Sequence, residues 1–528
     1  MKELLATISK REWAYVLFFS LAVVVIVTFP YIFAYFNVPP GTVYNGLHSL
    51  SPGDPPIYFS YINQVKTGDY LFEDYFTSEN QEIGFFNISW LIVGLFAKIF
   101  IFTPALAFHV FRILLIPALI VVSYLLIAYF FKETNQRKFT LIILALSSGL
   151  GFYFAPLAEI SQYYFHSTDL WVAESNLFLT MYQSPHFIMS YIMMFLIILL
   201  ILLSFDHNKF RYSIIAGILA LIYFNFHPFY FLTIFLILSL YLLALFIQNK
   251  KIGWQKVSHV AIIFVISLPS IFYHIWLIKT VPVLYTRATQ NIVVLDSLWI
   301  IILGYGLLWL FSGFTIYKLI KSNKYDEKKL FLVAWLAAIL LLVVIPTQFQ
   351  SRFLQSLIFP LAVLACTPLY LLYKKLNNKL LAVVLFLLLI APTNLFVIAK
   401  DIYYFSNGNS NFYLPDEKVE AWRWLDQYIP DKGVVLAPLF DSLFIPAYAD
   451  QKVYAAHEIE TLYFKNNKKI LNQWFYLSKV SCEQKDSFLE RNKINYVIFN
   501  KKENDIGQCR LKEIYNQENI SIYQFVGN

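Results

Sequence analysis

Over most of this chain apolar residues run on for about twenty positions at a time and then yield to short polar stretches. A run of that length is what an α-helix needs to cross a hydrocarbon layer about 30 Å thick. Such runs fall at 13–36, 104–131, 139–156, 187–205, 212–226, 228–247, 257–278, 298–317, 330–346, 354–373 and 380–399, which predicts eleven spans. The first, Trp13 to Phe36, exceeds the apolar core of a signal peptide and has no small-residue cleavage site after it, so it reads as a retained membrane helix. The segment 83–102 is apolar too. Counting it as a span would reverse the orientation of everything after it, so it is expected in the outer interface, or dipping in and returning.

The pattern changes after Lys400, where charges become frequent and no further long run occurs. Residues 401–528 read as a soluble α/β domain, following a transmembrane domain over 1–400. Helical spacing of Val419, Trp422, Leu425 and Ile429 predicts a helix over Pro415–Ile429. Val434–Ala437, Tyr496–Phe499 and Ile520–Phe525 read as short strands, and Ile459–Leu477 as an amphipathic helix. The first loop, 37–103, is unusually long. Within it Ile57, Tyr58, Tyr61, Ile62 and Val65 recur at helical spacing, which predicts an amphipathic helix lying in the interface.

Composition agrees with the pattern. Of 528 residues 59% are apolar and 14% charged, with a mean hydropathy of +0.59. Ordinary soluble domains carry about 25% charged residues, so one large soluble enzyme is excluded. The net charge of +8 is an orientation signal and not a nucleic-acid footprint. With the N-terminus inside, the cytoplasmic segments hold 19 Lys and Arg in 54 residues, while 128 external residues hold five: Lys66, Lys98, Lys279, Arg287 and Arg352. This predicts a multi-pass cell-membrane protein whose N-terminus is cytoplasmic and whose C-terminal domain is extracytoplasmic. The cytoplasmic loops are too short to hold a catalytic domain. Any chemistry is therefore expected outside.

Ionisable groups at membrane mouths are costly and are functional candidates by default. The external segments carry Asp54, Asp69, Glu73, Asp74, Glu79 and Glu82, then Glu159, Asp169 and Glu174 with His166 and His186, then His227 in Asn225-Phe226-His227-Pro228. His109 and Arg112 lie one turn apart near the outer end of the second span. Arg352 is the lone charge of 347–353. Asp54, ahead of Pro55 and Pro56, has the placement of a helix N-cap, and a cap also fixes a carboxylate where it can act as a general base. Glu73, Asp74 and Glu79 are expected on a solvated loop face. No ligand-spacing motif marks a metal site, although the acids and histidines leave a divalent metal open. Cys366 lies in a span. Cys482 and Cys509 both fall on the side where disulfides persist, and a bridge between them is expected.

The chain resembles the GT-C class of membrane glycosyltransferases, which use polyprenyl-phosphate sugars, and most of all the prokaryotic relatives of protein mannosyltransferases and lipid A aminoarabinose transferases. The resemblance rests on the architecture of residues 1–400 and on Gly53-Asp54-Pro55-Pro56-Ile57-Tyr58, Tyr75-Phe76-Thr77-Ser78-Glu79, His109-Val110-Phe111-Arg112 and Asn225-Phe226-His227-Pro228. The Asp-Glu pair common in that class is absent, since Pro55 follows Asp54. The resemblance implies an inverting transfer of a sugar from a polyprenyl-phosphate carrier to a protein, lipid or glycan acceptor at the outer face. Asp54 would take the acceptor's proton, and Arg352, then Arg112, would hold the donor phosphate. Tyr58, Glu79, His109, Glu174, His186 and His227 would shape the substrate pocket. A lipid or saccharide transporter is the competing expectation, against which stands the absence of paired, glycine-interrupted half-helices.

Overall fold

In hydrocarbon each backbone N–H and C=O must be paired within its own segment, so the apolar runs become helices. The computed structural model describes the chain except residues 161–165, 296, 323–325, 379–380, 382–383, 385, 387, 389, 430, 477–480, 501–508 and 527–528, together with the side chains of 156–160 and Tyr476. Among the described residues seven helices are long and apolar enough to cross a membrane: Lys10–Phe36, Pro104–Phe130, Thr134–Ala155, Pro185–His207, Tyr230–Asn249, Trp254–Thr280 and Gln350–Lys375. Trp299–Tyr305 and Leu307–Ser322, bent by 93° at their break, make an eighth if counted as one span.

Among the described residues three of the eleven expected runs lie outside these helices. Segment 212–226 forms Phe210–Phe226, whose 17 residues reach about 26 Å. Segment 330–346 forms Glu327–Val344, which opens on the charges Glu327, Lys328 and Lys329. Segment 380–399 falls partly outside the described residues and continues as Pro392–Ser406. The ambiguous segment 83–102 forms Ile88–Phe100, which at 13 residues, about 20 Å, is too short to cross.

The chain divides into two compact units. One comprises Met1–Pro30, Arg112–His274 and Ile292–Ile402. Near its N-terminus Glu12 and Arg137, both almost fully buried, pair at 3.2 Å. Tyr124 donates its hydroxyl to the same carboxylate at 2.6 Å, and Arg137 also donates to the carbonyls of Phe131 and Thr7. A charge pair this deep is sustained by having its remaining donors and acceptors satisfied.

The other unit comprises Tyr31–Phe111, Ile275–Asn291 and Tyr403–Asn528. Its centre is a five-stranded sheet in the order Lys452–Val453, Val434–Leu436, Ile494–Asn500, Ile520–Phe525, Leu511–Gln517. The first three strands are parallel and the last two pair antiparallel. Side chains alternate across it as the pleat requires. Val435 and Ile498 face a core with Trp422, Leu425, Phe444 and Ile445, while Val434, Leu436, Val497 and Phe499 face Leu471, Trp474, Phe475 and Leu489. The helices Asp416–Tyr428 and Phe464–Tyr476 lie within a few residues of those expected, the second starting later than the sequence pattern indicates. Cys482 and Cys509 form the disulfide, with Cα atoms 4.9 Å apart.

The first loop belongs to this unit. Thr42–Tyr44 pairs antiparallel with Tyr413–Pro415. The Val453 N–H donates to the Tyr75 carbonyl at 2.8 Å, the Thr461 hydroxyl to that of Phe76 at 2.7 Å, and Lys452 pairs with Glu73 at 2.7 Å. Helix Asp54–Thr67 packs against Ile88–Phe100 through Val65 and Gly94, where a Cβ on Gly94 would overlap all three side-chain carbons of Val65.

Candidate functional site

Helix Asp54–Thr67 starts one residue earlier than a cap on Asp54 would require. Gly53 is the N-cap, and Asp54 makes no capping hydrogen bond. This corrects the N-cap reading: with Pro55 and Pro56 lacking N–H groups, a cap on Asp54 has few donors to bond. The carboxylate approaches His457 instead, with Oδ1 3.5 Å from Nε2. Asp54 remains 41% exposed, while the imidazole is 11% exposed. Gly53 permits the approach, because a Cβ there would lie 3.2 Å from both Cδ2 and Nε2 of the ring.

The ring is held from its other side. The backbone N–H groups of Ile459 and Glu460 point at Nδ1, at 3.2 and 3.4 Å, and the His457 N–H donates to Thr461 Oγ1 at 3.2 Å. Gln290, from helix Pro282–Gln290, donates to the carbonyls of Ile459 and Thr461 and so braces the same turn. Burial disfavours a charged imidazole here, but Asp54, then Glu460 and Asp74, outweigh it and raise the pKa above its ordinary value.

Behind this pair lies a buried acid. Asp74 is 1% exposed, contrary to the solvated loop face expected for it, because residues 72–77 are folded against the sheet domain. One oxygen accepts from the Phe76 N–H at 2.9 Å, and the other has no hydrogen-bond partner among the described residues. Burial, with the nearby charge of Glu460, pushes its pKa up to about 7 against the opposing pull of Arg287. Arg287 is ion-paired with Glu460 and lies over the Phe85 ring at 5.6 Å.

The first unit gathers a second polar group. Arg352 Nη1 lies 3.3 Å from Glu174 Oε1, and its guanidinium lies 5.6 Å from the Phe229 ring centroid. Tyr191 fixes the segment holding Glu174, donating to its backbone carbonyl at 2.6 Å. The rings of His186 and His227 meet edge to face at 5.4 Å. His186 Nδ1 bonds Ser184 Oγ at 2.6 Å, and His227 Nδ1 bonds Ser190 Oγ at 3.0 Å. Ser190, Gln355 and Tyr223 close a triangle of hydrogen bonds at 2.8–3.0 Å. Glu174, Arg352, His186 and His227 therefore lie in one unit, and Asp54 with His457 in the other.

Tyr58, His109 and Arg112 each have a partner nearby. Tyr58 stacks on Trp90 at 4.5 Å. His109 Nε2 contacts the Gly46 carbonyl at 2.8 Å. Arg112, fully buried, donates to the Met181 carbonyl at 2.7 Å. Glu79 is solvent-exposed. The side chain of Glu159 lies outside the described residues. Among the described residues no group of three or more His, Cys, Asp or Glu side chains gathers at metal-ligand spacing. Sequence reasoning missed His457, Gln355, Ser190 and Tyr223, which carry no spacing signal and are joined to their partners only by the fold.

The architecture is shared with solved membrane glycosyltransferases. The apo oligosaccharyltransferase of Archaeoglobus fulgidus superposes with a TM-score of 0.55 at 14% identity, covering 92% of this chain and 70% of that one. The same enzyme tethered to an acceptor peptide containing the NVT sequon gives 0.53 at 13% identity, over 92% and 69%. The arabinofuranosyltransferase AftD from Mycobacteria gives 0.50 at 10% identity, and 98% of this chain covers 42% of that one. No family model matches the chain, and no curated protein sequence does. The chain shares its fold with these enzymes: a polytopic helical protein with a C-terminal α/β region.

Proposed function

We propose that this chain is an integral-membrane glycosyltransferase that moves a sugar from a polyprenyl-phosphate carrier to an acceptor at the outer face of the membrane. The observation that carries this is Asp54: in a chain with the GT-C fold, its carboxylate stands half exposed at the first turn of an amphipathic helix, 3.5 Å from an imidazole. A long-chain carrier presents its phosphate only at the interface, where such a helix lies. In an inverting displacement the acceptor hydroxyl attacks the anomeric carbon, its proton passes to Asp54, and the carbon–oxygen bond to the phosphate breaks with its electron pair staying on the phosphate. Arg352 stabilises that developing charge by its planar fork, with Glu174 holding the fork beforehand. His186 and His227 line the sugar or acceptor pocket. The charge asymmetry of the loops supports an extracytoplasmic position for the C-terminal domain.

The test is transfer from radiolabelled polyprenyl-phosphate hexoses and pentoses, with membranes from a strain lacking this chain as acceptor. Asp54→Asn keeps the shape of the side chain and removes the proton acceptor, for which losses of about 10²–10⁴-fold are typical. A folded Asp54→Asn protein that transfers at the full rate overturns the assignment.

A further inference from the structure

We propose that His457 is a positioning residue for Asp54, presenting an N–H to one carboxylate oxygen so that the other faces the acceptor hydroxyl. This rests on the reading of Asp54 as the base. It extends the site into the C-terminal domain, which then contributes directly to the arrangement of the reacting groups.

The role of the ring depends on which nitrogen carries the proton. A neutral imidazole has one N–H, and which nitrogen bears it depends on what the other one meets. Two backbone N–H groups, of Ile459 and Glu460, point at Nδ1. A proton there would face two donors. The imidazole proton therefore sits on Nε2, the atom turned toward Asp54 Oδ1. His457 is thus a donor to Asp54 and has no lone pair on that side with which to take its proton.

Three further features hold the geometry. Thr461 Oγ1 accepts the N–H groups of Ala456 and His457 at 2.9 and 3.2 Å while donating to the Phe76 carbonyl, which ties the turn to the first loop. Gln290 binds two carbonyls of that turn. Gly53 leaves the space into which the ring edge fits. The charged groups around the imidazole are Asp54, Glu460 and Asp74, with Arg287 on Glu460. The 3.5 Å separation is long for a hydrogen bond, and catalytic contacts of this kind tighten when substrate fills the site.

The experiment uses the full-length protein in nanodiscs with the same radiolabelled donors. His457→Ala is expected to lower kcat about ten- to a hundredfold with little change in donor KM. His457→Gln, whose amide nitrogen reaches the place of Nε2, is expected to restore most of that loss. In an Asp54→Asn background His457→Ala is expected to cost nothing further, since both act on one step. If Asp54→Asn is inactive but His457→Ala keeps full kcat, or the two losses multiply, the positioning role is overturned while Asp54 stands. If Asp54→Asn is fully active, or no donor turns over with the unaltered protein, the underlying reading falls and takes this inference with it. A His457→Ala protein that melts far below the parent, with no rescue by Gln, identifies a purely structural histidine and also overturns the proposal.

Discussion

Arg352 and Glu174 stand 178 positions apart in the chain and pair at 3.3 Å, the arginine partly open at 23% exposed and the glutamate nearly closed at 9%. The closed partner is the carboxylate, so the guanidinium is the more accessible member of the pair. An arginine held in this way is set before a ligand arrives, which reduces the ordering cost of binding.

Arg352→Lys keeps the positive charge and loses the planar fork. Affinity for a polyprenyl-phosphate sugar is expected to weaken about tenfold, roughly 1.4 kcal/mol, with the melting temperature changed little. Titration of nanodisc-embedded protein with a fluorescent donor analogue reads this directly. Equal affinities in the two proteins would make Arg352 an anchor for Glu174 only.

Gly94 lies where any side chain collides with Val65. Gly94→Ala is expected to cost about 1–3 kcal/mol by overpacking. Val65→Ala in the same chain should recover part of it, because it removes the two methyls at 2.7 and 2.9 Å while the Cβ at 2.4 Å remains. Thermal unfolding of the two single variants and the pair gives the coupling; additive losses would mean that the two helices separate instead of accommodating the methyl.

Asp74 carries a pH signature. Its folded pKa, about 7, lies well above that of an unfolded aspartate, so the folded state holds the extra proton between the two values. That protonated form adds stability at low pH, and the contribution declines as pH rises from about 4 to about 7, by an amount on the order of a few kcal/mol. Asp74→Asn keeps the oxygen that accepts from Phe76 and removes the titration. Melting curves from pH 4 to 8 should therefore be flatter in the variant than in the parent; identical slopes would show that another group is responsible.

Cys482 and Cys509 close a loop with a sequence separation of 27. By chain entropy such a bridge contributes about 3–4 kcal/mol. Neither thiol should react with maleimide until reductant is added, and reduction should lower the melting temperature of the protein. Full labelling without reductant would exclude the bridge.

What could be read from the sequence follows from the range of the interactions. Long unbroken apolar runs marked the helices, and short ones rich in β-branched and aromatic residues marked Val434–Leu436 and Ile520–Phe525, since those signals are local. Asp54 stood out because two prolines follow it and helical spacing begins there. His457 did not, because nothing around Ala456-His457-Glu458 indicates that the turn folds onto Gly53 and Asp54 from the far end of the chain. Asp74 resembled its solvated neighbours for the same reason. Its burial comes from hydrogen bonds that Val453 and Thr461 make to the loop.

The unit that holds Asp54 is drawn from three separated stretches, 31–111, 275–291 and 403–528. That division sets an order on biogenesis. The loop carbonyls of Tyr75 and Phe76 are made early, and their donors, Val453 and Thr461, arrive near the end of synthesis. Closing so long an interval is slow, and the loop's backbone stays unpaired meanwhile. A chain that stops short of Thr461 loses more than a terminal appendage: its first loop is left without the partners that bury Asp74 and bring an imidazole to Asp54. Late truncations and frameshifts should therefore read out as lesions at the N-terminal end of the site.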